Sequence, residues 1–304
     1  MISFKMNLAI VFFCVVASSF VCAEPKELDI FRKAYPDVEF SASYSEKYAD
    51  WLIEMKIPQS KDDTEKREVS LYYADGRFLL ESELKNKEKY WTLLYEYPKV
   101  LKDPADFSEE EAQRMKEFGS ADNRKNGAGT PMFFFEMLYD AESRKSLESH
   151  IRRYYVLNHN VSVHERIKEP LLNVEKRIIA ECKINPAVKS FVDEIASEGG
   201  YVWRIINGTN RKSFHSLGIA IDIQPKSLRG KEIFWSWTKD KNPETWMLTP
   251  LSRRWTPPEK VITFFEEEGF IWGGKWGVWD NMHFEYHPEL ILYNYGSVGS
   301  RGTR

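Results

Sequence analysis

Apolar and polar positions fall into distinct periodic stretches along the chain. Residues 69–73 and 77–80 are apolar and aromatic runs on either side of Ala74, Asp75 and Gly76. That pattern predicts a β-hairpin closed by an Asp-Gly turn. Residues 43–55 read as a helix. Residues 108–118 predict a short acidic helix capped by Ser108, with Glu110 and Glu111 in the first turn, where carboxylates meet the positive end of the helix dipole. Residues 126–130 form a Gly-rich loop without the Gly-Lys-Ser/Thr ending of a phosphate cradle, and they read as a linker. From Pro131 to Ser197 the pattern turns helical. Residues 133–138 are strongly apolar, and Ile167, Leu171, Val174, Ile178 and Cys182 recur mostly at steps of three and four on one face, with Pro170 as a point of kinking. Pro186 opens another helix through Val188, Phe191, Val192 and Ile195, which Gly199 and Gly200 stop. In the last third, residues 201–206 and 219–223 read as strands, and 257–268 as a helix with Pro258 in its first turn. Residues 270–272 and 282–286 read as short extended pieces. The fold class that follows is α+β, a small antiparallel sheet with packed helices, preceded by a mixed N-terminal region.

The start of the chain has a different character. Lys5 precedes a mostly apolar run over 8–21, and Val21, Cys22 and Ala23 then lead into Glu24 and Pro25. This predicts a signal peptide over 1–23, cleaved after Ala23, and a bacterial periplasmic or secreted product. The run is short for a membrane span, and no other stretch predicts one. Val21 is bulky where a lipid-attachment motif on Cys22 requires a small residue. Cleavage removes Cys14 and Cys22 and leaves Cys182, so no internal disulfide is expected. Cys182 reads as an apolar filler rather than a nucleophile. The 43 basic and 46 acidic residues give a net charge of -3, which argues against a dedicated nucleic-acid binder. His150, His159 and His164 read as packing or surface histidines. The expected organisation is an N-terminal region of unknown role (24–130), a helical connector (131–164) and a domain over 165–304 that carries the chemistry.

That domain holds eight of the ten tryptophans and the residues with chemical promise. Asp222 is a carboxylate inside the apolar strand of Ile219, Ile221 and Ile223, a costly placement unless it is paired with an arginine or bound to a metal. His215 precedes that strand, before a turn allowed by Gly218, so both side chains can reach one ion. Asp280 and His283 stand three apart further on. Two histidines and a carboxylate on zinc leave a fourth position for water, which zinc acidifies, and a free carboxylate beside it can take and return the proton. Asp280 is the candidate for that role. The His-Glu-x-x-His helix of the common zinc proteases is absent from the sequence.

The pattern Ser213-x-His215-x-x-Gly218-x-Ala220-x-Asp222 is followed by Gly269-Phe270-x-Trp272-Gly273-Gly274-x-Trp276-x-x-x-Asp280-x-x-His283-Phe284-Glu285. The two together resemble the VanY-type zinc peptidase superfamily. Its members are D-alanyl-D-alanine carboxypeptidases and the related L-alanyl-D-glutamate endopeptidases, some of them phage endolysins. The resemblance covers about 165–292 and says little about 24–160. It implies Zn2+ on His215, Asp222 and His283, Asp280 as general base, and Arg204 as the arginine that contacts substrate and steadies the oxyanion. It also implies peptidoglycan stem peptides as the substrate. On chemistry alone Arg204 suits an oxyanion, a peptide carboxylate or a plain salt bridge. Ser213 reads as an orienting or a turn hydroxyl, Gly273 and Gly274 as a tight turn, and Trp272, Trp276 and Trp279 as cleft wall or core. Glu285 reads as a ligand-supporting or structural carboxylate, His287 as a rim residue or fourth ligand, and 226–248 as a lid or a surface insertion. A carboxypeptidase is the first expectation. An endopeptidase and a non-catalytic cell-wall binding protein are the alternatives.

Overall fold

The structure is a computed structural model that describes residues 23–58, 66–209 and 211–296; all but the last residue of the signal peptide expected over 1–23 lies outside them. Helix α1 (Leu28–Ala34) leads into an antiparallel meander of β1 (Glu39–Ser45), β2 (Asp50–Pro58), β3 (Lys66–Ala74) and β4 (Arg77–Leu79), in that spatial order. The helix expected over 43–55 is instead the facing parts of β1 and β2. Ile53, Met55 and Ile57 are buried while Glu54 and Lys56 between them are exposed, a period of two that suits a half-buried strand. The Asp-Gly turn closes β3 onto β4 as expected, with φ of 46° at Asp75 and 80° at Gly76, the left-handed pair that two-residue hairpins need.

Next come α2 (Glu109–Phe118), α3 (Ala121–Asn126), α4 (Phe133–Leu138) and α5 (Arg144–Glu148). The Ser108 hydroxyl accepts from the Glu111 amide at 3.2 Å, and the Glu111 carboxylate accepts from the Ser108 amide at 2.7 Å. Such a reciprocal cap is worth about 1 kcal/mol. The helical reading of 131–164 holds only as far as α5. Residues 151–164 form a hairpin of β5 (Ile151–Val156) and β6 (His159–His164). Its two-residue turn is Leu157 and Asn158, both at positive φ, and no glycine marks it in the sequence. Helix α6 (Lys168–Glu181) takes Pro170 in its first turn, where a proline costs no helical hydrogen bond, and Cys182 is a half-buried free thiol packed on the core. Helix α7 (Pro186–Asp193) stops before Ile195, which opens β7 (Ile195–Gly199) rather than extending the helix.

The second sheet joins β7, β8 (Ala220–Pro225), β10 (His283–Tyr286) and β9 (Phe270–Trp272) in that spatial order, all antiparallel. Helix α8 (Trp235–Lys241), helix α9 (Glu259–Glu267) and the C-terminal α10 (Pro288–Tyr295) complete the described chain. Residues 201–206 are not a regular strand. β7 and β10 occupy both edges of β8, so 201–206 is held by a single bridge between Ile205 and Lys212 and a few backbone bonds, among them Val202 N to His215 O at 3.2 Å.

One apolar core runs through both sheets. Phe78 stacks on Phe134 at 4.7 Å, Phe135 meets Phe214 at 5.1 Å, and Phe265 stacks on Phe284 at 4.0 Å. Polar ties follow the same route. The Tyr97 hydroxyl donates to Glu266 at 2.5 Å and accepts from the Trp272 amide at 2.8 Å. The second sheet is therefore braced by residues far upstream in the chain. No helix among the described residues is long and apolar enough to cross a membrane.

Candidate metal centre

His283 on β10 lies directly opposite Asp222 on β8. Directly opposed side chains of an antiparallel pair share a face, with Cβ atoms about 4.5–5.5 Å apart. His215 joins them from the turn before β8. Ser213 caps that turn by accepting from the His215 amide at 3.3 Å, so its hydroxyl serves the turn and makes no bond to a ligand ring. Gly218 ends the turn at φ 68°, and a Cβ there would lie 2.8 Å from the His164 amide, so both conformation and space demand glycine.

The three ligand atoms lie within 4.8 Å of one another. His215 Nε2 is 3.2 Å from His283 Nδ1 and 3.2 Å from Asp222 Oδ2. A tetrahedral site with bonds near 2.0 Å has edges of about 3.3 Å, so this donor set fits zinc. The other ring nitrogens are already committed. His215 Nδ1 donates to Gly200 O at 2.7 Å, and His283 Nε2 donates to Glu285 Oε1 at 2.8 Å. Each histidine thus presents its remaining nitrogen to the shared point, and both rings are fixed from behind. Burial opposes ionisation of Asp222, but His215 and His283 outweigh it and hold the carboxyl well below the usual range.

Glu285 is a supporting carboxylate. It also pairs with His287 Nε2 at 3.3 Å, while His287 Nδ1 donates to Glu289 at 2.7 Å and the Tyr35 hydroxyl donates to Glu289 at 2.6 Å. Burial works against the His287 cation, yet Glu289 and Glu285 outweigh it and push His287 up to about 9. Both nitrogens of His287 are spent on these carboxylates, so it is not placed as a fourth ligand. The resulting buried chain runs from His283 to α1. His287 was singled out in the sequence, though as a rim residue or fourth ligand; Glu289 and Tyr35 have no motif spacing, and sequence reasoning did not find them.

Asp280 sits beside this group. Its amide donates to Gly273 O at 3.0 Å, and a Cβ on Gly273 would lie 2.7 Å from Asp280 O, so the tight turn at Gly273 and Gly274 positions this residue. Asp280 Oδ1 is sealed from solvent and has no protein partner among the described residues. Burial is the main cause that pushes its carboxyl up to about 7. Arg204 lies on the adjoining segment. Ser216 Oγ accepts from its amide at 3.1 Å and donates to its carbonyl at 2.5 Å, tying it to the His215 turn. Its side chain is exposed and makes no hydrogen bond or ion pair among the described residues.

Of the three tryptophans, only Trp276 is placed to wall a cleft, with its ring 5.5 Å from His283. Trp279 is fully buried, and Trp272 donates to Asn281 O at 2.9 Å within the core. The 226–248 segment is packed in part, while residues 226, 227, 229–231 and 240–245 are exposed. Trp235, Trp246 and Met247 join Trp279 in a cluster against Ala112 and Met115 of α2.

The His-Asp-His group centred on the second sheet of this α+β chain could hold a metal ion. Residues 207–286 match the family described as D-alanyl-D-alanine carboxypeptidase, which supports the VanY-type resemblance and a carboxypeptidase-like peptidase. The matched span includes His215, Asp222, Asp280 and His283 and begins just after Arg204. Residues 27–95 match a family described as a domain of unknown function. No curated protein and no solved structure matched the chain.

Proposed function

We propose that the chain is an exported zinc peptidase that removes the terminal D-alanine from peptidoglycan stem peptides. The observation that carries this reading is the convergence of His215 Nε2, Asp222 and His283 Nδ1 beside Asp280, whose buried Oδ1 has no protein partner among the described residues. Zinc would be held by His215, Asp222 and His283, and would supply a Lewis acid for the scissile carbonyl and for the attacking water. Asp280 takes the proton of the attacking water and delivers it to the leaving amine, a task suited to a carboxyl whose affinity for protons lies near neutrality. Glu285 and Gly200 O keep the two histidine rings in the tautomers that the site needs. Arg204, anchored through Ser216, stabilises the developing oxyanion. The apolar leader over 1–23 carries the export part of the reading.

Digestion of defined muropeptides by the zinc-loaded mature protein, followed by mass, tests the proposal. Loss of one alanine mass is expected. Release of the L-alanine end instead would establish the endopeptidase. No product from a folded, zinc-bearing protein would overturn the peptidase reading and favour a cell-wall binding protein.

A further inference from the structure

A cavity of about 710 Å³ lies between the upstream part of the chain and the metal-centre domain. Trp91 and Arg124 face it from upstream, and Arg211, Phe214, Trp276 and Glu285 from the domain. It borders the metal centre, because Phe214 precedes His215, Trp276 packs on His283, and Glu285 holds the His283 ring.

Arg77, Arg124 and Arg211 line this cavity without an ion-pair partner among the described residues, against one unpaired carboxylate, that of the exposed Glu96. Lys212 is paired with Glu136 at 2.6 Å, and Lys275 with Glu266 at 2.7 Å. Arg124 and Arg211 have no carboxylate partner among the described residues. Arg211 Nη2 donates to the Arg124 carbonyl at 2.7 Å and its guanidinium lies 5.5 Å from the Trp91 ring centre, while the Arg124 guanidinium lies 5.2 Å from that of Trp235. Burial weakens both cations, and the charge of Arg211 weakens Arg124 further. Glu285 is engaged by His283 and His287, so it does not offset them. Two half-buried like charges without a counter-ion are costly, and a bound carboxylate with charge-assisted hydrogen bonds to guanidinium offsets that cost. The loop at 126–130 takes part too. It is tied to the upstream wall by Trp91 N to Gly129 O at 2.9 Å, and a Cβ on Gly129 would lie 2.8 Å from Arg211 Cδ.

We propose that this cavity binds a carboxylate of the peptide substrate through Arg124 and Arg211, which makes the upstream region a specificity element of the enzyme. This rests on the peptidase reading above. A lysine-containing stem pentapeptide carries two such groups, the C-terminal carboxylate and the glutamate α-carboxylate. The test uses L-alanyl-γ-D-glutamyl-L-lysyl-D-alanyl-D-alanine and its two singly amidated forms, with KM and kcat measured for wild type, Arg124→Gln and Arg124→Lys. Arg124→Gln is expected to raise KM about tenfold or more with little change in kcat, and Arg124→Lys to recover part of the loss. Amidation of one carboxylate should weaken wild type to the same degree and add nothing in Arg124→Gln; which peptide does so identifies the group bound. Melting temperature reports whether each variant is folded. An unchanged KM in Arg124→Gln, or equal amidation penalties in variant and wild type, would overturn the site and leave the peptidase reading intact. Failure of wild type to cleave any of the peptides would instead overturn the peptidase reading, and this site with it.

Discussion

Among the described residues, two histidine–carboxylate clusters look alike in composition and differ in wiring. In the first, His150 contacts Glu165 at 2.9 Å and Asp140 at 3.3 Å, while His164 donates to Tyr139 O at 3.1 Å and accepts from the Arg166 amide at 3.1 Å. Every ring nitrogen there has a fixed partner. In the second, His215 and His283 each spend one nitrogen on a fixed partner and turn the other toward a common point with Asp222. A cluster with all nitrogens satisfied braces the fold, and one that leaves a nitrogen per ring convergent with a carboxylate can take a metal. Residue types within reach are therefore weak evidence, and the direction of the spare lone pairs is the informative feature.

Metal removal separates the two clusters most sharply. A chelator should abolish activity, with zinc restoring it to wild type but not to His215→Ala, as assayed by release of D-alanine. Asp280→Asn should keep its zinc and lose about 10²–10⁴-fold in kcat, the usual share of a general base; a zinc-bearing variant with wild-type kcat would remove Asp280 from the chemistry. Glu285→Gln should weaken zinc binding about 10–100-fold in a competition titration, because the His283 ring loses its charged support. The smallest effect belongs to the bracing cluster. Burial first, then His150 and Arg166, holds His164 well below its usual value, so the folded state keeps it neutral while the unfolded state takes up a proton below about pH 6.5. Its contribution is present above that pH and is lost as pH falls. His164→Gln should flatten this acid limb in thermal melts and cost about 1–2 kcal/mol at neutral pH.

Much of the second sheet was legible, because Asp222 in an apolar strand and the His215–Gly218 turn are local signals, and β8, β9, β10 and α9 fall close to their expected places. The first sheet was legible only at its Asp-Gly turn. Residues 43–55 mix two strands across a turn at Ala49, and their combined pattern imitates a helix. The β5–β6 hairpin was missed because Leu157 and Asn158 adopt positive φ without glycine. The three ligand candidates and Asp280 were readable from spacing. Glu289, Tyr35 and Arg124 were not, since they reach the site or the cavity beside it only through packing between distant segments.

The most direct test of this contrast is zinc stoichiometry by native mass spectrometry on wild type, His283→Ala and His164→Gln purified alike. One zinc per chain in wild type and His164→Gln, and none in His283→Ala, is the expected result. Zinc retained in His283→Ala, or lost in a folded His164→Gln, would contradict the assignment of the metal to the His215–Asp222–His283 group.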